Sequence, residues 1–128
     1  MLADVKKMIA IRNQEKDVIH SVLNDARPPI VPVEYNSSAN VPVPYVMWNG
    51  PKAILVAGNN LNKDVKLTAK LPLEKIGMAG ASQIKITDLW NGGERVISAK
   101  NASNFTFTIK KDKTAGGGLA VYKIEVLP

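Results

Sequence analysis

A carboxylate pair is the first place to look for chemistry in this sequence. Asp88 and Glu94 lie on either side of Asn91-Gly92-Gly93. Hydrolysis of a glycosidic bond needs two carboxyl groups, one as acid and the other as base or nucleophile. An aspartate at the end of a strand, however, commonly accepts hydrogen bonds from turn N–H groups, and that is the role assigned to Asp88. His20 is the only histidine and stands beside Ser21. A Ser-His-Asp arrangement would have to use it, and no nucleophile motif surrounds Ser21. One histidine without cysteine supplies too few ligands for a zinc-type metal site. Lys110-Lys111-Asp112-Lys113 followed by Gly116-Gly117-Gly118 sets cations beside a glycine loop. A phosphate cradle needs a strand before such a loop and a helix N-terminus after it, and here a second strand pattern follows. No catalytic residue, metal ligand or cofactor-binding residue is therefore expected. The remaining candidates are aromatic. Trp48, Trp90 and Tyr45, with Tyr35, could stack on the apolar faces of sugar rings and bind carbohydrate.

These residues are positioned by a short helix and a series of strands. Asp4 can cap a helix over residues 3–14, and Val5, Met8 and Ile9 form an apolar stripe at i, i+3, i+4 spacing. The stripe has two readings. It packs on the β domain, or it packs on another domain, in which case the isolated chain could dimerise through it. Val18, Ile19, Val22 and Leu23 either continue the helix or form an irregular segment. Pro28, Pro29, Pro32, Pro42 and Pro44 then confine residues 26–44 to edge strand and connector, because proline gives no N–H to a sheet ladder. Residues 30–35 read as one edge strand.

The β body follows. Residues 44–48 form a strand ending at Asn49-Gly50. Ala53-Ile54-Leu55-Val56-Ala57 has no polar break and reads as a central strand covered on both faces. Residues 65–71 alternate apolar and polar, the mark of a strand with one wet face. Residues 72–82 make a longer connection with a helical turn around 73–76. Asn-Gly with an additional glycine predicts a hairpin between residues 83–90 and 94–98, with Gly93 in a left-handed position. Phe105, Phe107 and Ile109 share one face of the next strand. In the last, Ala120, Tyr122, Ile124 and Val126 share one face. Seven to eight strands with turns between them predict a mostly β protein, an antiparallel β-sandwich of Greek-key type behind a short N-terminal helix.

Composition sets the outer limits. A chain of 128 residues, 45% hydrophobic, can bury roughly two-thirds of its unfolded surface in one core. No apolar run approaches the ~20 residues of a membrane span, so no membrane partner is expected. The formal charge of +6 is spread over lysines that alternate with apolar residues along strands. That dispersal argues against nucleic acid, which calls for a clustered basic surface.

The order of the pieces carries a resemblance. Val5-Lys6-Lys7-Met8-Ile9-Ala10-Ile11-Arg12 is similar to the last barrel helix of TIM-barrel glycoside hydrolases of the α-amylase group. The run Ala53-Ile54-Leu55-Val56-Ala57-Gly58-Asn59-Asn60, the segment Thr87-Asp88-Leu89-Trp90-Asn91-Gly92-Gly93-Glu94 and the closing Gly118-Leu119-Ala120-Val121-Tyr122-Lys123-Ile124 resemble strands of the antiparallel domain that follows that barrel. The proline-rich residues 18–44 depart from the commoner amylase pattern. The resemblance implies that residues 1–25 are the end of a barrel and residues 26–128 a C-terminal β-sandwich domain. It implies a non-catalytic domain that buttresses a catalytic barrel preceding Met1, with that catalytic domain as its partner. In such enzymes the acid and nucleophile sit on the barrel strands, so no catalytic residue carries over. An exported parent enzyme would place the domain in the periplasm or outside the cell.

Overall fold

A strand with no polar break needs cover on both faces, and the fold is built around one. The computed structural model describes residues 2–15, 30–49, 52–111 and 118–127. Within them a helix, α1 (Leu2–Gln14), is followed by nine strands: β1 (Ile30–Pro32), β2 (Glu34–Ser37), β3 (Tyr45–Asn49), β4 (Lys52–Gly58), β5 (Val65–Lys70), β6 (Gln83–Asp88), β7 (Glu94–Ser98), β8 (Phe105–Ile109) and β9 (Leu119–Val126). Six form one sheet in the order β1-β3-β4-β9-β6-β7, and three form a second in the order β2-β5-β8. Every pairing is antiparallel. The last strand, β9, enters the larger sheet between β4 and β6 and pairs with both.

β4 has the predicted double cover. Ala53, Leu55 and Ala57 face the smaller sheet and join the main core with Leu67, Ala69, Phe105, Phe107, Ile84, Ile86 and Ile124. Ile54 points the other way, into a second cluster with Trp90 and Val121, against which Ile11 of α1 packs. The helix covers this part of the outer face through Ile11. β5 alternates as its sequence predicts: Val65, Leu67 and Ala69 are buried, Lys66 and Lys70 exposed.

The expected single edge strand over residues 30–35 is instead two strands in different sheets. Residues 30–32 pair with β3, and β2 pairs with β5. Pro32 ends the first ladder because its ring fixes φ and removes the donor. Val33 then crosses between the sheets, buried, with its N–H donating to Pro44 O at 3.0 Å. This crossing is why the described residues hold nine strands rather than seven or eight. The connection after β5 holds the predicted helical turn: Ile76 N–H donates to Pro72 O at 3.2 Å and Met78 N–H to Leu73 O at 2.8 Å. It buries Ile76 and Met78 where the chain passes from the smaller sheet to the larger. Residues 18–23, including His20 and Ser21, and the glycine-rich residues 112–117 lie outside the described residues. No described helix is long and apolar enough to cross a membrane.

Candidate functional site

Two regions gather the residues that the sequence singles out. The first is the seam between α1 and the larger sheet. Lys7, Ile11 and Glu15 follow one another at four-residue spacing and so share one side of the helix. Lys7 places its Nζ 4.6 Å from the centroid of the Trp90 ring, a cation over the negative face of an indole. Ile11 packs on the cluster of Ile54, Trp90 and Val121. Glu15, at the helix end, is buried. Its carboxylate lies 3.4 Å from Lys123 Nζ on β9 and accepts a hydrogen bond from Gln14 Nε2 at 2.8 Å.

This arrangement places the three candidate rings apart. Trp90 is 3% exposed and roofed by Lys7, so no sugar ring can reach its face. Trp48 packs on the main core between the sheets. Tyr45, three residues earlier on the same strand, points to the opposite side by alternation and is half-exposed. The three rings therefore present no shared stacking surface. The stripe Val5, Met8 and Ile9 is placed only in part. The Val5 side chain lies outside what the structure describes, while Met8 and Ile9 are 55% and 53% exposed. The side of α1 that docks is the one bearing Lys7, Ile11 and Glu15, a set that sequence reading passes over because lysine and glutamate resemble a solvated face. The signal that could have found it is the repeat itself, three positions at four-residue spacing centred on Ile11.

The second region is the β6–β7 turn and the end of the sandwich beside it. Asp88 Oδ1 accepts from Trp90 N–H at 3.0 Å and Asn91 N–H at 2.8 Å. Its own N–H donates to Gly93 O at 2.8 Å, and Gly92 N–H donates to Asp88 O at 3.0 Å. Gly92 and Gly93 both take positive φ, 87° and 99°, where a Cβ would be strained. Asp88 is thus the anchor of the turn, as its position predicts. The strand ends at Asp88 rather than continuing to residue 90, because the turn spans residues 89–93. Strand alternation also separates the carboxylates. Asp88 lies on the core side with Ile84 and Ile86. Glu94 stands opposite Thr87, on the other side, and pairs with Lys85 at 3.1 Å. They do not form an acid–base pair. Asp88→Ala is expected to cost about 1–2 kcal/mol of unfolding free energy by urea denaturation, since two turn N–H groups lose their acceptor. Asp88→Asn, which keeps Oδ1, should lose less than half of that.

On the core side of this turn three strands meet. Tyr122 on β9 stands opposite Asp88, and Arg95 on β7 stands opposite Ile86. The Tyr122 ring packs edgewise on Phe105 and Phe107 at 5.2 and 5.1 Å. Arg95 lays its guanidinium 4.4 Å above Phe105 and donates from Nη2 to Thr106 O at 3.2 Å. Burial, and then the Asp88 carboxylate, push the Tyr122 hydroxyl up to about 12, with Arg95 pulling weakly the other way. It is a protonated donor at neutral pH. The sequence sets Tyr122 on one face of its strand with Ala120, Ile124 and Val126 and does not single out Arg95, because their meeting depends on register between separate strands. Among the described residues no group of three or more histidines, cysteines, aspartates or glutamates could hold a metal ion. No family model and no curated protein matches the chain.

Proposed function

We propose that the chain is a non-catalytic β domain that buttresses the catalytic barrel of a glycoside hydrolase, docking through the outward side of α1. The observation that supports this reading is the division of labour on that helix. One side is fixed to the sheet by Lys7, Ile11 and Glu15. Away from it Ile9 is exposed, and Met8, which flanks the docked side by its spacing from Ile11 and Glu15, is exposed as well. A surface helix with no further task would carry polar residues there. A helix shared between two domains needs apolar groups on both sides. The similarity of residues 5–12 to a final barrel helix gives the second domain its identity in this proposal.

The test is the double substitution Met8→Asp with Ile9→Asp. Both sites are exposed, so the stability of this domain should change by no more than about 0.5 kcal/mol. Association with the catalytic domain should weaken on the order of 100-fold, the loss of two apolar contacts together with burial of two charges. Unchanged association would overturn the proposal. So would turnover of chromogenic glycosides by this chain alone, since the reading leaves it without catalytic groups.

A further inference from the structure

The end of the sandwich beside the β6–β7 turn holds a cleft of about 240 Å³, lined among others by Asp88, Gly92, Gly93, Arg95 and Tyr122. Beside Glu94, which pairs through one oxygen with Lys85, three polar groups line it with capacity unspent among the described residues. Asp88 uses one carboxylate oxygen for the turn, and the other makes no hydrogen bond. Arg95 commits only Nη2, to Thr106 O, and its remaining N–H groups are unengaged. The Tyr122 hydroxyl has no hydrogen-bond partner. Asp88 and Arg95 do not pair with one another, although both act electrostatically on Tyr122. The side chains are held firmly. Tyr122 is wedged against two phenylalanine rings, the Arg95 guanidinium sits 4.4 Å above one of them, and Asp88 is pinned by the turn.

We propose that this cleft binds a vicinal diol, two adjacent hydroxyls such as the exposed end of a sugar presents. Each hydroxyl donates one hydrogen bond and accepts others. The free Asp88 oxygen accepts from the diol, while Arg95 and the Tyr122 hydroxyl donate to it. The cleft is smaller than the roughly 300–1,000 Å³ of sites for larger ligands, which limits the occupant to a single ring or a small polyol. A Cβ at Gly92 or Gly93 would meet nothing within 4 Å, so the mouth on that side is open, and a longer saccharide could extend out of it. The site differs from the aromatic platform of Trp48, Trp90 and Tyr45 in every residue, and it does not depend on docking through α1.

Titration of the ¹⁵N-labelled chain tests this. Maltose and glycerol carry vicinal diols, 1,3-propanediol does not, and glycine is a small zwitterion that could bridge Asp88 and Arg95 by charge alone. Maltose and glycerol should move the amide signals of Gly92, Gly93 and Arg95 saturably, with Kd in the millimolar range, and 1,3-propanediol should not. Tyr122→Phe, which removes only the hydroxyl, should weaken maltose binding roughly 2–10-fold, the worth of one neutral hydrogen bond. Lys66→Ala, on the wet face of the smaller sheet, should leave binding unchanged. The proposal is overturned if neither diol gives a saturable shift, if Tyr122→Phe binds maltose as the parent chain does, or if glycine alone moves these signals.

Discussion

Trp90→Ala will lower the unfolding free energy by about 3–5 kcal/mol, the range for deleting a large buried aromatic side chain. The indole fills the space between α1 and the larger sheet, against Ile54 and Val121, with Ile11 packed beside it and Lys7 above. Nothing nearby can collapse into that volume without moving the helix. The indole N–H complicates the sum in a useful way. Nε1 is buried and has no hydrogen-bond partner among the described residues, and an orphan donor of this kind costs about 1–3 kcal/mol. Trp90→Phe removes the orphan together with part of the ring, so cavity and relief nearly offset. A net change under about 1.5 kcal/mol is expected for it. Urea denaturation followed by far-ultraviolet circular dichroism measures both. A loss below about 1 kcal/mol for the alanine variant would mean that α1 does not rest on Trp90.

Asn59→Asp will destabilise by about 3 kcal/mol although the two side chains have nearly the same shape. Asn59 is 2% exposed and stands at the end of β4. Its Nδ2 donates to Lys63 O at 2.8 Å, Ile109 O at 3.0 Å and Lys110 O at 3.3 Å, and its Oδ1 accepts from Leu61 N–H at 2.9 Å. One side chain thereby shapes the 59–63 loop and ties the larger sheet to the end of β8 in the smaller. Aspartate would set a buried negative oxygen against carbonyl oxygens, which neither solvates nor pairs it. Its pKa in the folded variant would rise above the unfolded value for that reason. By linkage the folded state then takes up the proton first, so the deficit shrinks as pH falls and grows as pH rises from the ordinary aspartate value to the raised folded one. Asn59→Ala, which loses the hydrogen bonds without adding charge, should cost less and show no such pH dependence. Equal losses for the two variants across pH would contradict this account.

The parts of the fold that can be read from sequence are those in which a local pattern and a burial requirement coincide. Ala53 to Ala57 could only be a strand covered on both sides, and β5 could only be wet on one. The hairpin and the anchoring role of Asp88 followed from residue types within a single turn. Where the deciding contact joins distant segments, the sequence is silent. Nothing local distinguishes a Trp90 under Lys7 from one facing water. Lys7 and Glu15 are charged, and only their partners Trp90 and Lys123 turn them inward. Val33 crosses between sheets because Pro32 breaks a ladder whose partner, β3, lies a dozen residues ahead. The Asp88, Arg95 and Tyr122 cleft needs the registers of β6–β7 and β6–β9 together, which no spacing within one segment encodes.

The proposed role rests on the outward side of α1, and site-specific photo-crosslinking tests it most directly. A benzophenone amino acid is placed at Met8, and in a second variant at Lys66 on the wet face of β5, in cells that make the protein. The account predicts that position 8 crosslinks to peptides of a glycosidase barrel and that position 66 yields no such product. Absence of barrel peptides at position 8, or their equal appearance at position 66, would contradict it.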